Sequence, residues 1–217
     1  MERKRLVATV LLALLAIAWG AIPLIVREDI PVGHLVAMRV WLGALALVIA
    51  LALLRRLQWP SMHRGRLIAS GLILALHWGA FFAALKTTTV GVALAVLYLG
   101  PIAAAVLAPR ILGEKVGTRV KVGMAVAFVG VLIVVRPESG ATLEGVLWAL
   151  LAGATMAALM LVAKPAAEDL GGLVVAAGEL VIAAVVLTPW MGAAVANSME
   201  YWAEFLVLGV LLTGLAW

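Results

Sequence analysis

Residues 87–137 read TTTVGVALAVLYLGPIAAAVLAPRILGEKVGTRVKVGMAVAFVGVLIVVRP. Two long apolar runs, Val90–Leu112 and Val120–Val135, flank a short knot of charge built from Glu114, Lys115, Arg119 and Lys121 after Gly113. Each run approaches the ~20 residues that an α-helix needs to cross a ~30 Å hydrocarbon layer at ~1.5 Å per residue. Pro101 sits inside the first run, where it removes a backbone donor and kinks the helix. Lipid-exposed backbone tolerates that loss poorly, whereas a protein-lined cavity accommodates it. The stretch therefore predicts a helical hairpin in a membrane, with a bent helix facing something other than lipid.

The remainder has the same character. The chain is 66% hydrophobic and 12% charged, against roughly a quarter charged in ordinary globular domains. It has no cysteine, which excludes a disulfide framework and a thiolate metal site. The net charge of +5 does not indicate nucleic acid, because the charges lie in short loops between apolar runs and form no basic patch on a soluble face. The expected partners are the lipid bilayer and a small-molecule substrate, with no nucleic acid. Homodimer formation is left open.

Glu2, Arg3, Lys4 and Arg5 precede a first apolar run, Leu6–Val26, with Pro23 near its end. That run exceeds the ~7–15 residues of a signal-peptide core, so it is expected to be an uncleaved first span. Seven further spans are expected at His34–Leu54, Leu67–Leu85, Val90–Leu112, Val120–Val135, Leu143–Ala163, Gly171–Thr188 and Ala203–Trp217. Their separators are short and turn-rich, among them GEKVGTR, RPESGA, KPAAED and PWMGAAVANSMEYW. Lysine and arginine concentrate on one side: Arg3 to Arg5, then Arg55, Arg56, Arg64 and Arg66, then Arg110, Lys115, Arg119 and Lys121, then Lys164. The other side carries Arg27, Lys86 and Arg136. This bias predicts a multi-pass protein of the inner (plasma) membrane with a cytoplasmic N-terminus. Trp59, Trp190, Tyr201 and Trp202 fall near the expected interfaces, where amphipathic rings anchor.

The chain also resembles itself. LLAIAWGAIPLIVR in the first span is matched by LLAGATMAALMLVAK in the sixth, about 136 residues later. The second, GHLVAMRVWLGALALV, resembles the seventh, GLVVAAGELVIAAVV; the third opens GLILALHW and the eighth LGVLLTGLAW, about 138 residues on. An odd five spans per unit would insert the two units in opposite senses, an arrangement that recurs in transporters. The expected architecture is an all-α membrane protein, an inverted repeat of five-helix units over 1–137 and 143–217. About eight helices are present and the last is incomplete. Because the eighth run stops at Trp217 and the second unit is missing its fourth and fifth helices, the chain is expected to be a fragment of a ten-helix protein.

These residues resemble the EamA-type transporters of the drug/metabolite transporter superfamily. The resemblance is carried by Trp19-Gly20, by Arg39 early in the second span, and by LYLGPIAAAVLAPRILGEKV with Pro101 and Glu114. VGMAVAFVGVLIVV, with Gly123 and Gly130, completes it. It implies secondary transport of small organic metabolites, mostly efflux, without an ATPase domain. TTVGVALAVLYLGP and AAGELVIAAVVLTP lean towards the amino-acid-exporting members.

Few residues can carry chemistry. Glu179 falls near the middle of the seventh span, where a carboxylate costs on the order of 2.5–3.5 kcal/mol on insertion scales. It reads either as a substrate-amine or proton site, or as half of a structural ion pair. Arg39 lies about five residues below the outer edge and either faces the cavity or snorkels to the interface. The repeat alignment gives Arg39 and Glu179 nearly equivalent places, which predicts opposite charges paired across a pseudo-two-fold and suited to a zwitterion. His77 reads as a proton shuttle or, more commonly, as a histidine bonded to a neighbouring helix; Ser70, His77 and Phe81 share its stripe. Trp19, Trp78 and Tyr98 fall at comparable depth and could line an aromatic pocket, with lipid contact or core packing as the ordinary alternative. Pro101 is expected to kink the fourth span at the cavity or to serve packing alone. Glu114 is expected to brace the hairpin through its basic neighbours, and Gly123, Gly130 and Gly153 to mark close helix contacts. No phosphate-binding loop, zinc-protease or nucleophile-elbow motif occurs, so no cofactor, metal or catalytic residue is expected. The competing classes are an intramembrane enzyme and a channel or structural membrane protein.

Overall fold

The computed structural model describes residues 10, 22, 30–57, 60–135 and 140–214, and of 193–200 only the backbone. Most of the first expected span, with Trp19, therefore lies outside the described residues, as do Trp59 and Arg136. The described chain is helical: α1 Val32–Leu53, α2 Arg64–Thr87, α3 Val90–Leu97, α4 Leu99–Ile111, α5 Thr118–Val134, α6 Leu143–Leu170 and α7 Gly172–Leu187. A single 3₁₀ turn at Thr188–Trp190 leads to α8 Met191–Leu206, which runs into a π-helical segment, Val207–Gly214. No strand occurs among the described residues. Among the described residues, five stretches are long and apolar enough to cross a membrane: Val32–Leu53, Arg64–Thr87, Val90–Ile111, Leu143–Leu170 and Gly172–Trp190. The protein is an all-α, multi-pass membrane protein.

The expected kink in the fourth span is a break. Helical geometry lapses at Tyr98, between α3 and α4, and Pro101 follows in the first turn of α4. The proline lacks the N–H that would bond the Leu97 carbonyl, and its ring crowds that same oxygen. The freed region is covered by α6: a Cβ built on Gly153 would lie 3.2 Å from Leu97 O, and one built on Gly100 only 2.5 Å from Gly153 O. Pro101 thus sits at a backbone-to-backbone crossing, and Gly153 is a close helix contact.

Two separators turn out to be helical. KPAAED continues α6 past Pro165 because Ala166, Ala167 and Glu168 favour helix; Gly171, at φ +85°, ends it in a conformation that glycine adopts freely. PWMGAAVANSMEYW forms the 3₁₀ turn and α8, which is kinked at Tyr201 (φ −117°, ψ 22°). Tyr201 is buried against Phe205 rather than placed at an interface, while Trp190 and Trp202 are exposed.

Packing is uneven. The largest apolar cluster joins α1, α2, α7, α8 and the π segment through Leu35, Val36, Leu74, Phe82, Leu180 and Phe205. α2 lies along α6 and α7, and α3 and α4 lie on α6. The contact stripe of α6 is small, with Ala149, Ala152, Gly153 and Ala157 buried, as expected where helices associate by close approach in lipid. Among the described residues, α5 packs mainly on α3 and α4. A Cβ at Gly123 or Gly130 would meet nothing among the described residues, so neither is the close-packing point expected of it: the face they share is turned away from the bundle.

Glu114 also departs from expectation. Its carboxylate pairs with Lys164 at the end of α6, not with Lys115, Arg119 or Lys121. The hairpin turn is therefore braced to a different helix. Asp169 on α6 meets His63, the residue preceding α2, at 2.7 Å, so the same end of α6 is tied on two sides.

Gly100→Leu should lower stability by about 1–3 kcal/mol, since its side chain must displace backbone. Gly123→Leu should change it by less than about 0.5 kcal/mol. Reversible unfolding of detergent-solubilised protein measures both, and equal losses would contradict this packing.

Candidate functional site

Arg39 projects from α1 into the cluster and is 4% exposed. It does not snorkel. Its guanidinium lies 3.5 Å from the centroid of the Trp78 ring and 5.4 Å from that of Phe82, both on α2. A desolvated cation over an indole face gains roughly 2 kcal/mol. Arg39 Nε donates to Thr213 Oγ1 at 2.8 Å, and Thr213 Oγ1 donates to the Leu208 carbonyl at 2.7 Å. That acceptor lies one wide π turn back, so the π geometry seats the hydroxyl that receives Arg39. π segments of this kind are frequent at functional sites.

His77, also on α2 and 8% exposed, turns towards α6. Its Nδ1 lies 2.9 Å from the Ala152 carbonyl. A carbonyl can only accept, so Nδ1 carries a proton. Thr155 Oγ1 stands 3.4 Å from the same nitrogen, and the ring stacks on Phe81 at a 7° interplanar angle. This is the helix-bonded histidine of the plainer reading, within the electrostatic reach of Arg39.

Glu179 sits on α7, 4% exposed. Its Oε1 has no partner among the described residues. Ser70, a fully buried residue of α2 one position before the Gly71 crossing, donates to the Leu67 carbonyl at 3.2 Å. No ion pair joins Glu179 to Arg39 among the described residues. The expected pairing of opposite charges is therefore not seen among the described residues: Arg39 takes Thr213 as its partner instead.

Two glycine crossings set those levels. A Cβ on Gly71 would fall 2.6 Å from Ile182 Cβ and 3.0 Å from Glu179 O; one on Gly209 would fall 2.5 Å from Leu42 Cβ and 3.1 Å from Arg39 O. In each case a glycine lets a helix press against the backbone that carries the buried charge.

The structure thus brings Arg39 and Trp78 together, turns His77 towards α6, and leaves Glu179 without an ion pair among the described residues. Tyr98 does not join them: it is 57% exposed on the outside of the bundle, because the break at Pro101 turns it away from α6. Trp19 lies outside the described residues. Phe82, Thr155 and Thr213 were not singled out from the sequence. Thr213 carries a legible signal, as the one hydroxyl in LVLGVLLTGLAW. No group of residues suited to a metal ion occurs among the described residues.

Arg39→Lys keeps the charge but loses the planar stack and the Nε–H donor. It should destabilise the protein by about 1–3 kcal/mol, and Thr213→Val by about 1 kcal/mol. The double variant should fall short of the sum, because the two share one contact; thermal unfolding in detergent followed by near-UV circular dichroism measures all three.

Comparison with known proteins places this arrangement. The family model described as the EamA-like transporter family matches residues 6–136, more than half of the chain's 217 residues. No curated protein matches the chain, and no solved structure does. The matched segment takes in Arg39, Ser70, His77, Trp78, Pro101 and Glu114. With its apolar helices and buried membrane charges, this chain belongs to the EamA-like transporter family.

Proposed function

We propose that the protein is a secondary transporter that exports small organic metabolites, such as amino acids, by alternating access. It would sit in the inner (plasma) membrane with its N-terminus in the cytoplasm. The observation that carries this reading is the pair of charges, Arg39 and Glu179, buried in membrane-spanning helices with no counter-ion among the described residues. Uncompensated charge at that depth is expensive and is retained where it meets a substrate or ion.

The inverted repeat, 1–137 and 143–217, belongs to the same proposal. Gly71 and Gly209 stand about 138 residues apart, and Arg39 and Glu179 about 140. The corresponding crossings repeat the same partners, an aliphatic Cβ and the carbonyl of the charged residue. α7 meets α2 as α1 meets the π segment. Two like crossings around a central site suit units that rock against each other while the site stays in place. The ties at the end of α6, Lys164–Glu114 and His63–Asp169, lie on the side rich in lysine and arginine and would hold that side together in one state of the cycle.

Flux of a labelled metabolite panel into and out of proteoliposomes tests the reading. Saturable uptake that is accelerated by unlabelled substrate on the opposite side is expected. Linear flux would indicate a channel, and chemical conversion of the label an enzyme. Glu179→Gln should lower the rate at least about tenfold while leaving the amount of protein in the membrane unchanged; wild-type kinetics in that variant would remove Glu179 from the mechanism.

A further inference from the structure

α5 stands on the outside of the described bundle. Val131 is its one buried residue among those described. Val122, Val126, Val129 and Ile133 follow one another along a single helical stripe and are 53–68% exposed. The open space at Gly123 and Gly130 shows the same face uncovered.

The basic end of this helix is equally open. Arg110 in the last turn of α4, Lys115 in the connection, and Arg119 and Lys121 in the first turn of α5 are all exposed. That first turn contains no acidic residue. Glu114, the one acid of the connection, is taken by Lys164 of α6, and Glu168 stands 3.9 Å from the same ammonium. No ion pair reaches the four cations among the described residues. All four belong to one hairpin turn, so they gather at the end where the apolar stripe begins.

An apolar face that ends in a cluster of cations restricts what can cover it. A second copy laid along α5 in the same membrane orientation would set four cations against four, and like charges repel. A soluble anion would match the charge and leave the stripe unused. An anionic phospholipid matches both, because arginine holds phosphate through paired hydrogen bonds and the acyl chain is as apolar as the valines. Clusters of lysine and arginine beside a membrane helix attract such headgroups. The α1–α2 connection offers a comparison. Arg55, Arg56, Arg64 and Arg66 are exposed there too, but Asp169 meets a histidine, His63, rather than a lysine. With histidine counted neutral, the charge of Asp169 stands against those arginines.

We propose that the α4–α5 turn and the open stripe of α5 form a binding site for an anionic phospholipid. Its phosphate lies among Arg110, Lys115, Arg119 and Lys121, and one acyl chain lies along Val122, Val126, Val129 and Ile133. The site goes beyond the transport reading and does not rest on it.

Displacement of a fluorescent phosphatidylglycerol from the full chain in detergent tests the proposal. The competitors are phosphatidylglycerol, phosphatidylcholine with the same acyl chains, and glycerol phosphate, which has no chains. Phosphatidylglycerol should compete about tenfold or more better than phosphatidylcholine, because several cations add their attraction. Salt at about 0.5 M should reduce that preference to about threefold or less. Glycerol phosphate should compete at least about 100-fold less well than the lipid, for want of buried apolar surface. Arg110→Gln, Lys115→Gln, Arg119→Gln and Lys121→Gln together should remove most of the preference. The same change at Arg55, Arg56, Arg64 and Arg66 should leave it within about threefold of the original. Thermal unfolding identifies a variant that has lost its fold; Lys115→Gln with Lys121→Gln, which alters only exposed lysines, then carries the test with a loss of about threefold or more. Equal competition by the two lipids, a preference that follows the α1–α2 arginines, or glycerol phosphate competing as well as the lipid would each overturn the proposal. So would a lipid-resistant dimer crosslinked from α5 to α5, which would make a second copy the occupant.

Discussion

A guanidinium cannot be left bare in the interior of a membrane protein, and Arg39 shows how much structure follows from that constraint. Its charge is spread over Trp78 and Phe82, and its Nε–H ends on Thr213, a residue 174 positions away in sequence. Satisfying it takes three elements at once, α1, α2 and the π segment, in a fixed relation. The π geometry is part of the solution. Thr213 donates back along its own segment to Leu208, which leaves its oxygen free to accept from Arg39. The main apolar cluster surrounds these contacts, so packing and polar satisfaction specify the same arrangement.

Close approach of backbones does the remaining work. Lipid is as apolar as leucine, so helices in a bilayer gain little from burying large side chains and more from fitting together. α6 presents Ala149, Ala152, Gly153 and Ala157 to its neighbours, and it packs over the break that Pro101 forces at Tyr98. Gly71 and Gly209 press their helices against the backbone of the two charged residues. Glycine at these points is therefore what lets each neighbouring helix approach the backbone that carries a buried charge. α5, with Gly123 and Gly130 on open faces, shows that a glycine in an apolar helix need not mark a crossing.

Much of this was legible in advance, and the reason is the bilayer itself. Its thickness sets the length of an apolar run, so the spans could be placed from residue type alone. An ionisable residue inside such a run stands out for the same reason, which is how Arg39, His77 and Glu179 were found. The errors fall where that signal is weak. KPAAED and PWMGAAVANSMEYW looked like loops because proline, glycine and polar residues mark turns in general, yet α6 and α8 pass through them. Glu114 was given to its basic neighbours in sequence, whereas Lys164 reaches it from another helix. Tyr98 shared a depth with Trp78 but not a direction.

Residue types and the spacing of apolar runs were thus enough to determine that this is a helical membrane protein, where five of its described spans lie, and which family it belongs to. Tertiary structure decided who meets whom. It put Arg39 on Trp78 and Thr213, turned His77 to Ala152, and pressed Gly71 of α2 against the backbone of Glu179. The physical reason is that depth in a membrane is a one-dimensional quantity that a helix expresses at a constant rise per residue. Azimuth and crossing depend on which backbones can touch, and that is settled only when the helices are packed together.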